Sequence, residues 1–122
     1  MSQDRSDIQY TVKELSRTMS KPTLQCWEQA KRLARYLVDR ARCVQTFSYQ
    51  ERPDRITVYT DSDFAGCSVS RKSTSGGVVM YGRAALKTWS TNQSVVALSS
   101  GEAEYYAMVR GASQGIAMRN LI

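Results

Sequence analysis

Apolar residues recur at helical spacing in the first third of the chain. Within SDIQYTVKELSRTM, Ile8, Val12, Leu15 and Met19 fall on one face, which predicts a helix, and Ser6 followed by Gln9 fits a capping box at its start. SKP then breaks the pattern, with Pro22 as punctuation. A second helix is predicted from about Thr23 to Cys43. Leu24, Trp27, Ala30, Ala34, Leu37 and Ala41 form its apolar stripe, and Glu28, Lys31, Arg32, Arg35, Asp39 and Arg42 its polar side. Two amphipathic helices joined by a short turn make a helical hairpin.

After Gln50 the period changes. ERPD reads as a linker or turn, and Ile56 to Thr60 as a short buried strand. The polar, small-residue segment GCSVSRKSTSGG follows. Then VVMYG reads as a second strand, which turns at Gly82-Arg83 into a third, AALKTWS. Beyond TNQ and a brief SVVAL extension, a last helix is predicted from about Ser99, with Ser99 as N-cap and Glu102 at N3. The expected fold is α/β: a helical segment over residues 1–50, then a three-stranded antiparallel meander and one helix over residues 51–122.

A chain of 122 residues has room for one ordinary domain, or a small domain with an appendage. No run approaches the ~18 apolar residues of a membrane span, and the polar start MSQDRSDIQY has no apolar leader core, so an intracellular location, cytoplasmic or nuclear, and no membrane partner are expected. Cys26, Cys43 and Cys67 are widely spaced and in no CxxC arrangement, which points to reduced thiols rather than disulfides or zinc. Histidine is absent, so Ser-His and Cys-His catalysis and HExxH metalloprotease chemistry are excluded.

The formal charge of +6 favours polyanionic partners such as nucleic acid, although a merely soluble basic surface gives the same total. Residues 1–55 hold eleven Lys/Arg against seven Asp/Glu, so most of the excess lies in the helical half, on the Lys31 to Arg42 face. A solvated helix face explains that run equally well.

The chemistry-bearing stretch is YTDSDFAG. Asp61 and Asp63 end a buried strand, where a rigid backbone presents a side chain to a cleft, but both also suit a turn. The second acidic stretch is LSSGEAEYYAM. Glu102 is explained as the partner of Ser99 at the helix start, a structural cap. Glu104 has no such duty and falls on the stripe Glu104, Met108, Gly111, Ala112, Gly115, whose small residues suit close approach to a sheet. If that helix points its N-terminus at the end of the first strand, Asp61 and Glu104 meet. A hard divalent cation with oxygen ligands, magnesium or manganese, would relieve their repulsion. Arg71, Lys72, Ser73 and Thr74 offer cations and hydroxyls to a nucleic-acid backbone, or form a flexible polar hairpin. Trp27 and Trp89 read as core residues.

The stretches YTDSDFAGC, RKSTSGGVV and LKTWSTNQSVVALSSGEAEYYAM, in that order, resemble the ribonuclease H module of copia-type LTR retrotransposon Pol polyproteins. DIQYTVKELSRTMSKPT and CWEQAKRLARYL resemble the segment joining the reverse transcriptase to that module. The resemblance implies an RNase H-like mixed sheet and magnesium-dependent cleavage of RNA in RNA/DNA hybrids, with about four carboxylates holding two metal ions. It implies catalytic and metal-binding roles for Asp61 and Glu104, and an auxiliary one for Asp63. The reverse transcriptase portion of the same polyprotein is an implied partner. Because no acid follows Glu104, the resemblance implies a truncated module with two of the four carboxylates, weak metal binding and no cleavage by the chain alone. Alternative readings are a non-catalytic nucleic-acid-binding remnant and a helical interaction module.

Overall fold

The computed structural model of the protein describes residues 5–122. The described residues divide into two units, one ending at Thr46 and the other Phe47–Ile122. In the first, helix α1 (Gln9–Arg17) and helix α2 (Leu24–Asp39) form the hairpin expected from their apolar stripes. The expected Ser6–Gln9 capping box is not formed. Ile8 is the N-cap of α1, in helical conformation and with no side-chain hydrogen bond. Thr23 caps α2, its side chain accepting from the Cys26 N–H.

Helix α2 stops at Asp39 rather than Cys43. Its last turn is closed by the Arg40 N–H donating to the Tyr36 carbonyl, and the Arg5 guanidinium donates to the Arg40 carbonyl at 3.0 Å and the Ala41 carbonyl at 3.3 Å. A side chain from before α1 thus takes carbonyls that further helix would have used. Trp27, read as core, is 61% exposed, because a hairpin of two helices covers only one side of each. Its ring carries the Lys31 ammonium 5.7 Å from its centroid instead.

In the second unit, β1 (Ile56–Asp63), β2 (Thr74–Tyr81) and β3 (Ala84–Asn92) form an antiparallel sheet in the order β1-β2-β3, the expected meander. The strands are longer than their apolar cores. Asp61 pairs with Gly76, Ser62 with Ser75 and Asp63 with Thr74, so the polar YTDSD end and the STSGG segment are ladder rather than loop. One register shift, at Val79/Met80, interrupts the β2–β3 ladder. The formed sheet removes the premise of a helical interaction module without a folded meander.

Helix α3 (Ser100–Arg119) lies across β1 and β2. Its buried residues are Ala103, Ala107 and Gly111, which corrects the expected stripe, since Met108 and Ala112 are exposed. The closest approach is at Gly111, where a Cβ would overlap Thr60 Cγ2, and at Gly115, where it would lie 2.8 Å from Val58 Cγ2. Side chains alternate along a strand, so Val58, Thr60 and Ser62 face α3 while Tyr59, Asp61 and Asp63, all exposed, belong to the other face. Trp89, 8% exposed, lies in the row of Thr60 and Gly77, and its ring covers Gly77. The expectation that it is core holds.

Candidate functional site

Helix α3 runs antiparallel to β1: Gly115 meets Val58, Gly111 meets Thr60, and Glu104 meets Ser62. The helix N-terminus therefore sits at the carboxyl end of β1, the orientation that brings the two acidic stretches to one end of the sheet. Ser99 accepts from the Glu102 N–H at 3.1 Å, as expected of an N-cap. The Glu102 carboxylate reaches one residue further back than in a standard capping box, accepting from the Leu98 N–H at 2.7 Å. Glu102 is thus a helix-start residue. Its carboxylate also pushes the Tyr106 hydroxyl pKa above its ordinary value.

Glu104 is half-buried, and its Oε1 accepts a hydrogen bond from Ser62 Oγ at 2.8 Å. Asp61 precedes Ser62 in β1 and so takes the opposite face of the strand, with an exposed side chain. The fold brings Asp61 and Glu104 to the same strand end through Ser62, and sequence reasoning missed that serine. The alternation of buried and exposed positions along TDSD, had the strand been extended to Asp63, was the signal for it.

Asp63 lies against the turn that follows β1: a Cβ at Gly66 would collide with its carboxylate, so Gly66 is required for that approach. Ala65, with φ 52°, and Arg71, with φ 55°, hold left-handed conformations on either side of this loop. Cys67 is buried within it, its Sγ accepting from the Ser70 N–H and its carbonyl from the Arg71 N–H.

The four residues considered for a nucleic-acid backbone divide. Arg71 is exposed. Lys72 donates its ammonium to the Ser94 carbonyl at 2.6 Å, which fixes its position beside Arg71. Ser73 is fully buried and accepts from the Ala65 N–H at 3.0 Å, and Thr74 is buried as the first residue of β2. The Ser73 hydroxyl holds the loop to the start of β2 and the Thr74 hydroxyl donates to Asn92 Oδ1 at 3.5 Å on β3, leaving the two cations on the surface.

Asp61 and Glu104 offer hard oxygen donors, the kind that suit magnesium or manganese. Their number and placement do not suit a resident ion: among the described residues no three candidate ligands lie together. Asp61 on one face of β1 and Glu104 on the helix packed against the other do not frame a two-ion centre by themselves.

A groove of about 770 Å³ also opens along β1 beside the carboxyl half of α3, with Ile56, Val58 and Ile116 in its lining and Arg52, Arg55 and Arg119 among the charged residues. No helix among the described residues is long and apolar enough to cross a membrane.

Neither a protein-family profile nor a solved structure matches the chain. Curated relatives do. A retrovirus-related Pol polyprotein from transposon TNT 1-94 of Nicotiana tabacum is 31% identical over 97% of this chain, which spans 9% of that protein. A retrovirus-related Pol polyprotein from transposon RE2 of Arabidopsis thaliana is 33% identical over 90% of this chain, which spans 8% of it. The secreted RxLR effector protein 161 of Plasmopara viticola is 32% identical over 92% of this chain and is spanned over 78% of its own length. The chain thus corresponds to a small part of the two polyproteins. With nine-tenths or more of its residues aligned to them, across both the helical hairpin and the sheet, it belongs to the copia-type retrotransposon Pol polyprotein family.

Proposed function

We propose that this chain is the ribonuclease H-type portion of a Pol polyprotein, with the segment that follows the reverse transcriptase in front of it. Its residues serve cleavage of RNA in RNA/DNA hybrids when further carboxylates join them, and alone they bind such nucleic acid without cutting it. One observation carries the reading: α3 runs antiparallel to β1, so that Glu104 is bonded to Ser62, the neighbour of Asp61. Asp61 and Glu104 are the metal-directed acids of the reading, and each is a weak single ligand for the divalent ion, magnesium or manganese, until further carboxylates join them. When bound, such an ion supplies charge stabilisation to phosphodiester cleavage.

The chain's own contribution is positional. The ladder fixes Asp61 at the end of β1, Ser62 orients the Glu104 carboxylate, and Arg71 and Lys72 offer two cations to phosphate oxygens without reading bases. The charge of +6 supports binding of a polyanion.

The test is a labelled RNA/DNA hybrid mixed with the purified chain in magnesium, then in manganese. Binding that weakens as salt rises, with no cleavage, is expected. Arg71→Ala with Lys72→Ala should lower affinity several-fold and flatten the salt dependence. Manganese should broaden the NMR signals of Asp61 and Glu104 before those of Glu28. Salt-insensitive binding, or broadening that spares both acids, would overturn the reading. Cleavage that disappears in Asp61→Asn would overturn only the statement that the chain alone does not cut.

A further inference from the structure

We infer that Gln93 is a positioning residue for Glu104, holding β2 and the first turns of α3 in the register at which Ser62 reaches the Glu104 carboxylate. Gln93 is 7% exposed and lies just past the end of β3. Its Nε2 donates to the Ala103 carbonyl at 2.8 Å and to Ser75 Oγ at 3.0 Å. The amide orientation follows from the first of these, because a carbonyl only accepts and the nitrogen must therefore face it. Its backbone N–H donates to the Ser73 carbonyl at 2.8 Å.

Two of these anchors bear on Glu104. Ala103 is the residue before Glu104. Ser75 is the ladder partner of Ser62, whose hydroxyl donates to Glu104 Oε1. Ser73 holds the turn after β1 through the Ala65 N–H. The path from Gln93 to Glu104 thus closes by two routes, one through the backbone of α3 and one across the β1–β2 ladder. A buried amide with both N–H donors engaged has little rotamer freedom, so both routes are fixed by one side chain. A leucine or methionine would fill the same space and join neither.

Glu104's purpose rests on the function proposed above, whereas its geometry is read without reference to metal or substrate. The experiment is carboxyl 13C NMR of the full chain and three variants. Ser62→Ala defines the resonance of a Glu104 carboxylate deprived of its hydroxyl partner. Gln93→Met, which keeps volume and removes both donors, should move the Glu104 resonance in the same direction by at least half as much. The Asp63 resonance should stay in place, and the β2 and β3 amides should stay protected from exchange.

A Glu104 resonance that stays at the parent position in a folded Gln93→Met variant would overturn the inference, even if that variant were less stable, since a purely structural role predicts that outcome. Should Gln93→Met fail to fold, Ser75→Ala decides. It cuts the strand route alone and should give a smaller shift of the same sign, and no shift would overturn the inference. Failure of the chain to bind a hybrid would sink the proposed function and leave this readout standing.

Discussion

Ser62 Oγ donates to Glu104 Oε1 at 2.8 Å, while Asp61, one residue earlier in β1, is exposed and faces away from α3. The acid on the helix is therefore tied into the fold and the acid on the strand is not. A partly buried hydrogen bond to a carboxylate contributes about 1.5–3 kcal/mol, and leaving the carboxylate unpartnered adds to the loss. Ser62→Ala is accordingly expected to lower stability by about 1–3 kcal/mol in urea unfolding. Asp61→Asn, at an exposed position, should change it by less than about 0.5 kcal/mol. An effect of Asp61→Asn on any activity can then be read as chemistry rather than unfolding.

The seam between α3 and β1 is limited by Gly111. Alanine there would gain about 1 kcal/mol of helix propensity, but its Cβ would overlap Thr60 Cγ2 and lie 3.3 Å from Val58 Cγ1. Overpacking costs about 1–3 kcal/mol, so Gly111→Ala should be destabilising on balance. Thr60→Ser deletes the colliding methyl. Combining the two should recover much of the loss, giving a coupling of at least about 0.5 kcal/mol in a double-mutant cycle. Additive effects would mean that the helix sits further from the sheet.

Which parts of this molecule the sequence disclosed depended on where apolar periodicity coincided with structure. The hairpin, the meander and the Ser99 start of α3 were legible because Ile8, Val12 and Leu15, the VVMY run and the Ser99/Glu102 pair each follow a local rule. The ends of β1 and β2 were not. Asp61, Ser62, Ser75 and Gly76 have poor strand propensity and are extended because they pair with each other across the ladder, a non-local cause. The same cause hid the Ser62–Glu104 bond and the role of Gln93. Trp27 misled because an apolar stripe records which face of a helix is greasy without saying what covers it.

Acid should loosen the hairpin unit at one identifiable place. The Asp7 carboxylate accepts from Arg5 Nε at 3.0 Å, from Arg5 Nη2 at 2.8 Å and from the Tyr36 hydroxyl at 2.8 Å. The Arg5 bonds, seconded by Tyr36, hold its pKa well below the usual carboxylate range, and the same contact pushes the Tyr36 hydroxyl above its ordinary value. A depressed carboxylate pKa stabilises the folded form fully above the unfolded value of about 3.9, and that contribution fades as pH falls toward the folded value. Exchange protection at the carboxyl end of α2 should therefore drop below about pH 4 in the parent chain. In Asp7→Asn it should be lower at neutral pH and nearly flat with acid. A parent profile as flat as the variant's would remove Asp7 as the cause.

Cys26 is the thiol to watch near neutral pH. Its pKa is lowered to about 7, first by the Thr18 side chain, whose hydroxyl itself donates to the Leu15 carbonyl at 3.1 Å, and then by Thr23, whose Oγ1 lies 3.1 Å from the sulfur. The thiolate fraction therefore rises steeply through neutrality, whereas an ordinary cysteine, with a pKa of about 8.5, is still mostly protonated there. Alkylation by iodoacetamide followed by peptide mass spectrometry should show Cys26 reacting with a midpoint near pH 7. Exposed Cys43 provides the accessible comparison, and buried Cys67 should lag behind both. Thr18→Val is the cleaner variant, because Thr23 also caps α2 and its loss would cost about 1 kcal/mol of helix stability. With the Thr18 hydroxyl gone, the midpoint should move toward the ordinary thiol value. A midpoint unchanged in Thr18→Val would assign the lowered pKa to the Thr23 hydroxyl and the start of α2 alone.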